Sequence, residues 1–182
     1  MKNILIYEAY DLKNILQSHG VPVEKWGIKM AKTINHLQKE IDNKECYVEY
    51  LDGELVRFVE FVGVDVTYKG KILKEERQEF TDGRVRKRDM SSSVSEKMIK
   101  GEDPVISAIR GMKEEIGVSV SRDQLKNYKR LNYYDSSVSK SYPGLKSKYK
   151  GHKFECELND DQYNTEGYVE IQEDKRTYFI WV

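Results

Sequence analysis

The chain has 182 residues, and its 31 Lys+Arg are matched by 31 Asp+Glu for a formal net charge of zero. That balance excludes a protein that coats nucleic acid by bulk charge, although not one with a local basic patch. Charged residues make up 34% and hydrophobic residues 38%, and 13 Tyr, 5 Phe and 2 Trp supply enough aromatic surface for a core, which excludes disorder for most of the chain.

The length suits one domain with an extension. The opening run Met1, Ile4, Leu5, Ile6 is broken by Glu8 before the apolar core of a signal peptide forms. No apolar run approaches the roughly 20 residues of a membrane helix. Cys46 and Cys156 are too few for a disulfide scaffold or an all-cysteine zinc site. Both are expected to be buried packing residues, in a reducing, cytoplasmic setting.

In chain order, residues 11–18 form a short helix with Leu12, Ile15 and Leu16 on one side, ended by Gly20 and Pro22. A longer helix is predicted from about Val23, because Trp26, Met30, Ile34, Leu37 and Ile41 recur every three or four residues. Its other face carries Lys29, Lys32, Lys39 and Glu40. Residues 1–44 thus read as an N-terminal helical extension packed on a main domain, 45–182.

From Cys46 the pattern becomes that of strands. Residues 46–51 alternate, Asp52-Gly53 is a hairpin turn, and 55–68 place Val56, Phe58, Val62, Val64 and Val66 at even spacing. Lys69-Gly70 is the next turn, 71–80 pair back, and Asp82-Gly83 is a third, so 46–88 is predicted to be an antiparallel meander.

The best helical signal covers 103–116. Asp103 is its N-cap, Pro104 its first residue, and Gly117 its left-handed end. Val105, Ile109, Met112 and Ile116 are expected as its buried stripe. Residues 153–158 and 176–182 are later strands. This order of helices, strands, helix and strands has no βαβ alternation, which predicts an α+β sandwich with a mixed β-sheet.

The chemistry lies on and around that helix. Arg110 and Glu114 are one turn apart, Glu115 borders Ala108 and Gly111, and Glu102 stands at the helix entrance. Three carboxylates around one helix can hold a hard divalent cation such as Mg²⁺. Such a cation neutralises a diphosphate and helps activate water, and Arg110 can grip a carboxylate or phosphate in bidentate fashion. On spacing alone, a solvated helix face with an Arg–Glu pair is the better explanation.

The stretch resembles the Nudix box, G-x5-E-x7-R-E-U-x-E-E-x-G-U with U aliphatic. Glu102, Arg110, Met112, Glu114, Glu115, Gly117 and Val118 fit in register, and from Arg110 to Val118 one fixed position fails. The resemblance covers 96–118 closely and 45–182 in layout. It implies a Nudix-like α/β/α sandwich and divalent-metal-dependent hydrolysis of a diphosphate linkage in a nucleoside diphosphate derivative, with Mg²⁺ or Mn²⁺ as cofactor. Glu102, Glu114 and Glu115 would be the metal ligands. Glu114, Glu115 and Arg110 would be the catalytic set. It points to a small nucleotide substrate, with no membrane and no extended nucleic-acid footprint, and it admits a homodimer.

Two residues depart from the pattern. Glu96 replaces the first glycine, and Gly111 replaces the glutamate after Arg110, which in Nudix hydrolases is usually a metal-binding or catalytic carboxylate. Glu155, Glu157 and Glu96 are substitute candidates for a general base. The departures support a second reading, a catalytically impaired Nudix-like module that binds a nucleotide or a protein. A third has the 23–41 helix as a partner-binding surface.

Arg84, Arg86 and Arg88 alternate in the densest basic run and would share one strand face, either as a charged solvent edge or as a surface for the phosphates of a substrate, with Arg84 and Arg86 the expected contacts. Tyr128, Tyr133, Tyr134, Tyr142 and Tyr149 include a candidate for stacking a base, with 142–144 expected as a loop near the pocket. His19, His36 and His152 are too scattered for a triad, and Ser91, Ser92 and Ser93 lack a nucleophile's context.

Overall fold

The computed structural model describes residues 12–28, 31–136 and 139–182, with the backbone alone for 133–136. The apolar start before Leu12, Lys29 and Met30 of the predicted helix, and the side chains of Tyr133 and Tyr134 lie outside the described residues. The class is α+β, as expected from the order of patterns.

Helix α1 spans Leu12–Ser18 and buries Leu12 and Leu16. The single long helix expected from Val23 is instead two pieces. A 3-10 turn, Val23–Lys25, ends at Trp26 in extended conformation, and α2 begins afresh at Ile34–Asp42. The restart has a local cause. The Thr33 side chain accepts from the His36 amide while the His36 ring answers the Thr33 amide, so the pair caps a new helix.

Strands β1 (Tyr47–Leu51), β2 (Glu54–Tyr68), β3 (Lys71–Phe80) and β4 (Val85–Arg86) follow one another as antiparallel neighbours, the predicted meander. Its first two turns are Asp52-Gly53 and Lys69-Gly70. All four residues have positive φ, the geometry that matches the twist of a tight hairpin. Strand β9 (Lys175–Trp181) pairs antiparallel with β3, setting Leu73 opposite Trp181, and β8 (Tyr168–Ile171) pairs antiparallel with β9. Three strands have a weaker sequence signal. These are β5 (Val94–Lys97), β6 (Leu125–Ser136) and β8, while β7 (Lys146–Glu157) begins earlier than its apolar end suggests. Among the described residues the strand order is β6-β7-β2-β3-β9-β8, with β1 and β5 also on β2 and β4 on β3.

The chain divides into two compact units. The first takes the described residues up to Glu60, with Lys97–Gly101 and Asn132–Lys150. Its core joins Leu12 and Leu16 of α1, Trp26, Leu37 and Ile41 of α2, Val48 of β1, Leu55 and Val59 of β2, and Tyr142 and Leu145. Glu40 and Arg57 are buried in this unit too. The second unit takes Phe61–Glu96, Glu102–Leu131 and Gly151–Val182. Val62, Val64 and Val66 of β2 are fully buried in it, with Leu73, Phe154 and Phe179.

Helix α3 (Pro104–Ile116) lies in the second unit and packs against β8. Asp103 caps it as predicted, accepting from the amides of Val105 at 3.0 Å and Ile106 at 3.3 Å. Gly117 closes it at φ 72°, where a side chain would be strained. Its buried face differs from the expected stripe. Ser107, Ala108, Gly111, Met112 and Ile116 are buried, and Val105 and Ile109 are only half-buried. The small residues face inward because the helix sits close to β5, and that rotation carries Glu115 towards the interior.

Candidate functional site: an acidic helix face around Arg110

Arg110 is the hub of the site. It donates through Nε to Glu102 Oε1 at 3.1 Å and through Nη2 to Glu102 Oε2 at 3.0 Å, a bidentate pair. Its Nη1 donates to Glu96 Oε1 at 3.1 Å and Glu114 Oε2 at 3.3 Å. Ser107 Oγ lies 3.4 Å from Nη2. Three carboxylates from the loop, the strand and the helix thus meet one guanidinium. Hydrogen bonding to Glu102 is the main reason its pKa is raised, outweighing the cost of burial, and Glu96 adds to it.

Glu115 points to a different place. It accepts the Ser95 amide of β5 at 3.1 Å. Its carboxyl is pushed up to about 9, first by burial and then by the negative charges of Glu170 and Glu96, against the opposing pull of the Ser95 amide and Arg88. Arg88 donates from Nε to Glu75 Oε1 at 2.8 Å, and a second bond joins its Nη2 to Glu75 Oε2. Burial disfavours the charge on Arg88, but Glu75, Glu115 and Glu170 raise its pKa. Arg88 is therefore the cation of the basic run that acts on this helix. Arg84 pairs with Asp82, and Arg86 donates to Gln78. Of the three arginines only Arg86 lies in β4, and Arg84 is held at the Asp82-Gly83 turn, so the expected shared strand face does not form.

The candidate metal ligands do not gather as one set. Glu102 and Glu114 are both held by Arg110, while Glu115 faces Ser95. Among the described residues no group of three or more His, Cys, Asp or Glu is placed to hold a metal ion. The side chains as arranged therefore do not match the three-carboxylate ligand set expected for Mg²⁺ or Mn²⁺.

The other candidates resolve as follows. Glu155 accepts from Asn127 Nδ2 at 2.5 Å, and Glu155 and Glu157 are exposed on β7. His152 is buried, with its Nδ1 2.8 Å from the Tyr128 hydroxyl. Tyr142 is fully buried in the core of the first unit, tilted against Trp26 with the Arg57 guanidinium over its ring, a packing role, and 142–144 form a bend and turn as expected. Ser93 is buried and structural, donating to the Leu73 carbonyl and accepting from the Val66 amide. Cys46 and Cys156 are buried free thiols, as expected. Glu170 is the site residue that sequence reasoning missed. Its only signal is alternation in a four-residue strand, too short to place it beside α3.

No family model matches the chain, and no curated protein matches it. Among solved structures it is similar to the Caenorhabditis elegans Ap4A hydrolase, with 17% identity over 68% of this chain and 79% of that one, at a TM-score of 0.38. It is also similar to the Escherichia coli dihydroneopterin triphosphate pyrophosphohydrolase, with 17% identity, the same coverages and a TM-score of 0.42. A MutT/nudix family protein from Enterococcus faecalis matches at 15% identity over 68% of this chain and 42% of that one, at a TM-score of 0.40. No helix among the described residues is long and apolar enough to cross a membrane.

Proposed function

We propose that this chain is a Nudix-type hydrolase that cleaves a diphosphate linkage in a small nucleoside diphosphate derivative by attack of water. The observation that carries the reading is the arrangement of the box residues. Glu102, Arg110 and Glu114, in register in the sequence, are joined by one bidentate grip and one further ion pair, with Glu115 half-buried beside them on the same helix.

In this reading Arg110 fixes the orientation of Glu102 and Glu114. Glu115 is the proton-handling group, since a carboxyl held near 9 binds a proton far more strongly than a solvated one. Arg84 and Arg86 are the cations offered to the diphosphate. A divalent cation, Mg²⁺ or Mn²⁺, would supply charge neutralisation at the diphosphate. The roles given to the side chains stand without it. The setting that fits such a substrate is the cytoplasm.

The test is turnover of a panel of nucleoside diphosphate derivatives with Mg²⁺ or Mn²⁺ added. Phosphate-containing products are expected from at least one substrate. Glu115→Gln should lower kcat by about 100-fold or more. Unchanged activity in that variant removes Glu115 from the site, and no turnover across the panel removes the hydrolase reading.

A second reading, motivated by Gly111 standing where the box has glutamate, is a catalytically impaired module that binds a nucleotide or a protein. It is distinguished by nucleotide binding that is indifferent to metal and unaccompanied by hydrolysis.

A further inference from the structure

Position 111 has no room for a side chain. A Cβ placed there would stand 2.7 Å from Glu96 Cβ, 3.4 Å from Glu96 Cγ and 3.5 Å from Val94 Cγ1. The first separation is closer than packed carbons come. The atom in the way is a Cβ, fixed to the strand backbone, so it cannot swing aside. From this contact Glu96 reaches on to Arg110, 3.1 Å away. The same carboxylate is one of the charges acting on Glu115.

The two departures from the box are therefore in contact. Where the pattern has glycine the strand has Glu96, and where it has glutamate the helix has Gly111. We infer that Glu96 and Gly111 are one exchanged pair, in which β5 supplies the carboxylate that α3 lacks at position 111. The inference rests on the hydrolase reading of the box for its functional half, and on packing alone for its structural half. Glu96 is a positioning residue. It holds the Arg110 guanidinium from the strand side while Glu102 and Glu114 hold it from the loop and the helix.

Four proteins test the packing half: wild type, Gly111→Glu, Glu96→Gly and the exchanged double variant Glu96→Gly/Gly111→Glu. Gly111→Glu alone forces two side chains into one space, and its thermal midpoint falls well below that of wild type. The double variant recovers most of that loss. Additive midpoints overturn the pairing. If Gly111→Glu does not fold, Gly111→Ala replaces it, paired with Glu96→Gly in the same cycle.

The functional half is read on the same substrate panel. Glu96→Gln lowers kcat on the order of 100-fold with little change in KM, as a displaced catalytic geometry does. The exchanged variant regains activity that Glu96→Gly loses. A folded but inactive exchanged variant, beside an active wild type, overturns the equivalence of the two carboxylates. If wild type turns over nothing, the hydrolase reading fails by itself. The pair is then decided by the thermal cycle together with the Arg110 Nη1–H resonance, the donor to Glu96. That resonance shifts in Glu96→Gln and returns towards its wild-type position in the exchanged variant. A resonance unmoved by Glu96→Gln overturns the positioning role.

Discussion

The two units each contain a charge cluster, and the two are mirror images. In the first, one buried carboxylate, Glu40, meets three cations, with Arg57 at 2.5 Å, Lys32 at 2.7 Å and Lys97 at 3.2 Å. In the second, one cation, Arg110, meets three carboxylates, with Glu115 close by. Burial pushes Glu40 upward, yet Arg57, Lys97 and Lys32 together pull it down to about 2. Burial pushes Glu115 upward as well, and there the neighbouring Glu170 and Glu96 add to it, leaving it at about 9. Burial acts on both, and the sign of the surrounding charge decides the outcome. The first cluster is electrostatically satisfied and serves the fold. The second carries surplus negative charge, the condition of a site that awaits a proton or a cationic partner.

Breaking the satisfied cluster should cost most. Glu40→Gln leaves Arg57 buried without its counter-charge, and a loss of about 3–5 kcal/mol is expected in chemical denaturation. The acid limb of stability should change with it. Glu40 has a folded pKa below its unfolded value, so its contribution is present above about 4.5 and is lost as pH falls towards about 2. A Glu40→Gln protein whose stability matches wild type at neutral pH would make the cluster ornamental.

The surplus-charge cluster should respond in the opposite sense. Glu115 has a folded pKa raised above its unfolded value. Its stabilising contribution is therefore full below about 4.5 and is lost as pH rises through about 9. Glu115→Gln should remove that slope and stabilise the protein by about 1–3 kcal/mol at pH 8, a range reduced for partial solvent access. Thermal melts between pH 5 and 9 read this directly, and parallel curves for the two proteins would contradict it.

Smaller effects sharpen the comparison. Gly111→Ala improves helix propensity by about 0.5–1 kcal/mol, but its Cβ meets Glu96 at 2.7 Å. A net loss of about 1–2 kcal/mol is expected from the overpacked contact, and a gain in the melting midpoint would show that β5 yields. Asp103→Ala, which removes a cap at the entrance to the same helix, should cost about 1 kcal/mol by urea denaturation. That change leaves the charges on Arg110 in place, so any larger effect on Glu115's titration, followed by NMR, would mean that the helix entrance sets the cluster's geometry.

Much of the fold was legible in the residues because its signals are local. The hairpins at Asp52-Gly53 and Lys69-Gly70 and the capped helix from Asp103 to Gly117 are each encoded within a few positions. The long helix from Val23 was misread because a three-to-four spacing of apolar residues continues across a break. The Thr33–His36 cap starts a new helix whatever the phase of Trp26. The polar strand β6 offered no alternation to read, since its pairing with β7 supplies what its side chains do not advertise.

The candidate site divides along the same line. Spacing along one helix was enough to bring Arg110 and Glu114 together, because residues four apart share a face. It was also enough to single out Glu102, Glu115 and the two departures Glu96 and Gly111. No spacing shows that Glu96 fills the space at Gly111, that Glu170 on β8 charges the surroundings of Glu115, or that Arg88 rather than Arg84 is the arginine acting on it. Those facts depend on which strand lies against which helix, a matter of packing between segments distant in sequence. The zero net charge was visible from composition. Its division into one cluster rich in cations and one rich in carboxylates was made by the tertiary structure, since burial and proximity, not count, set the energy of a charge.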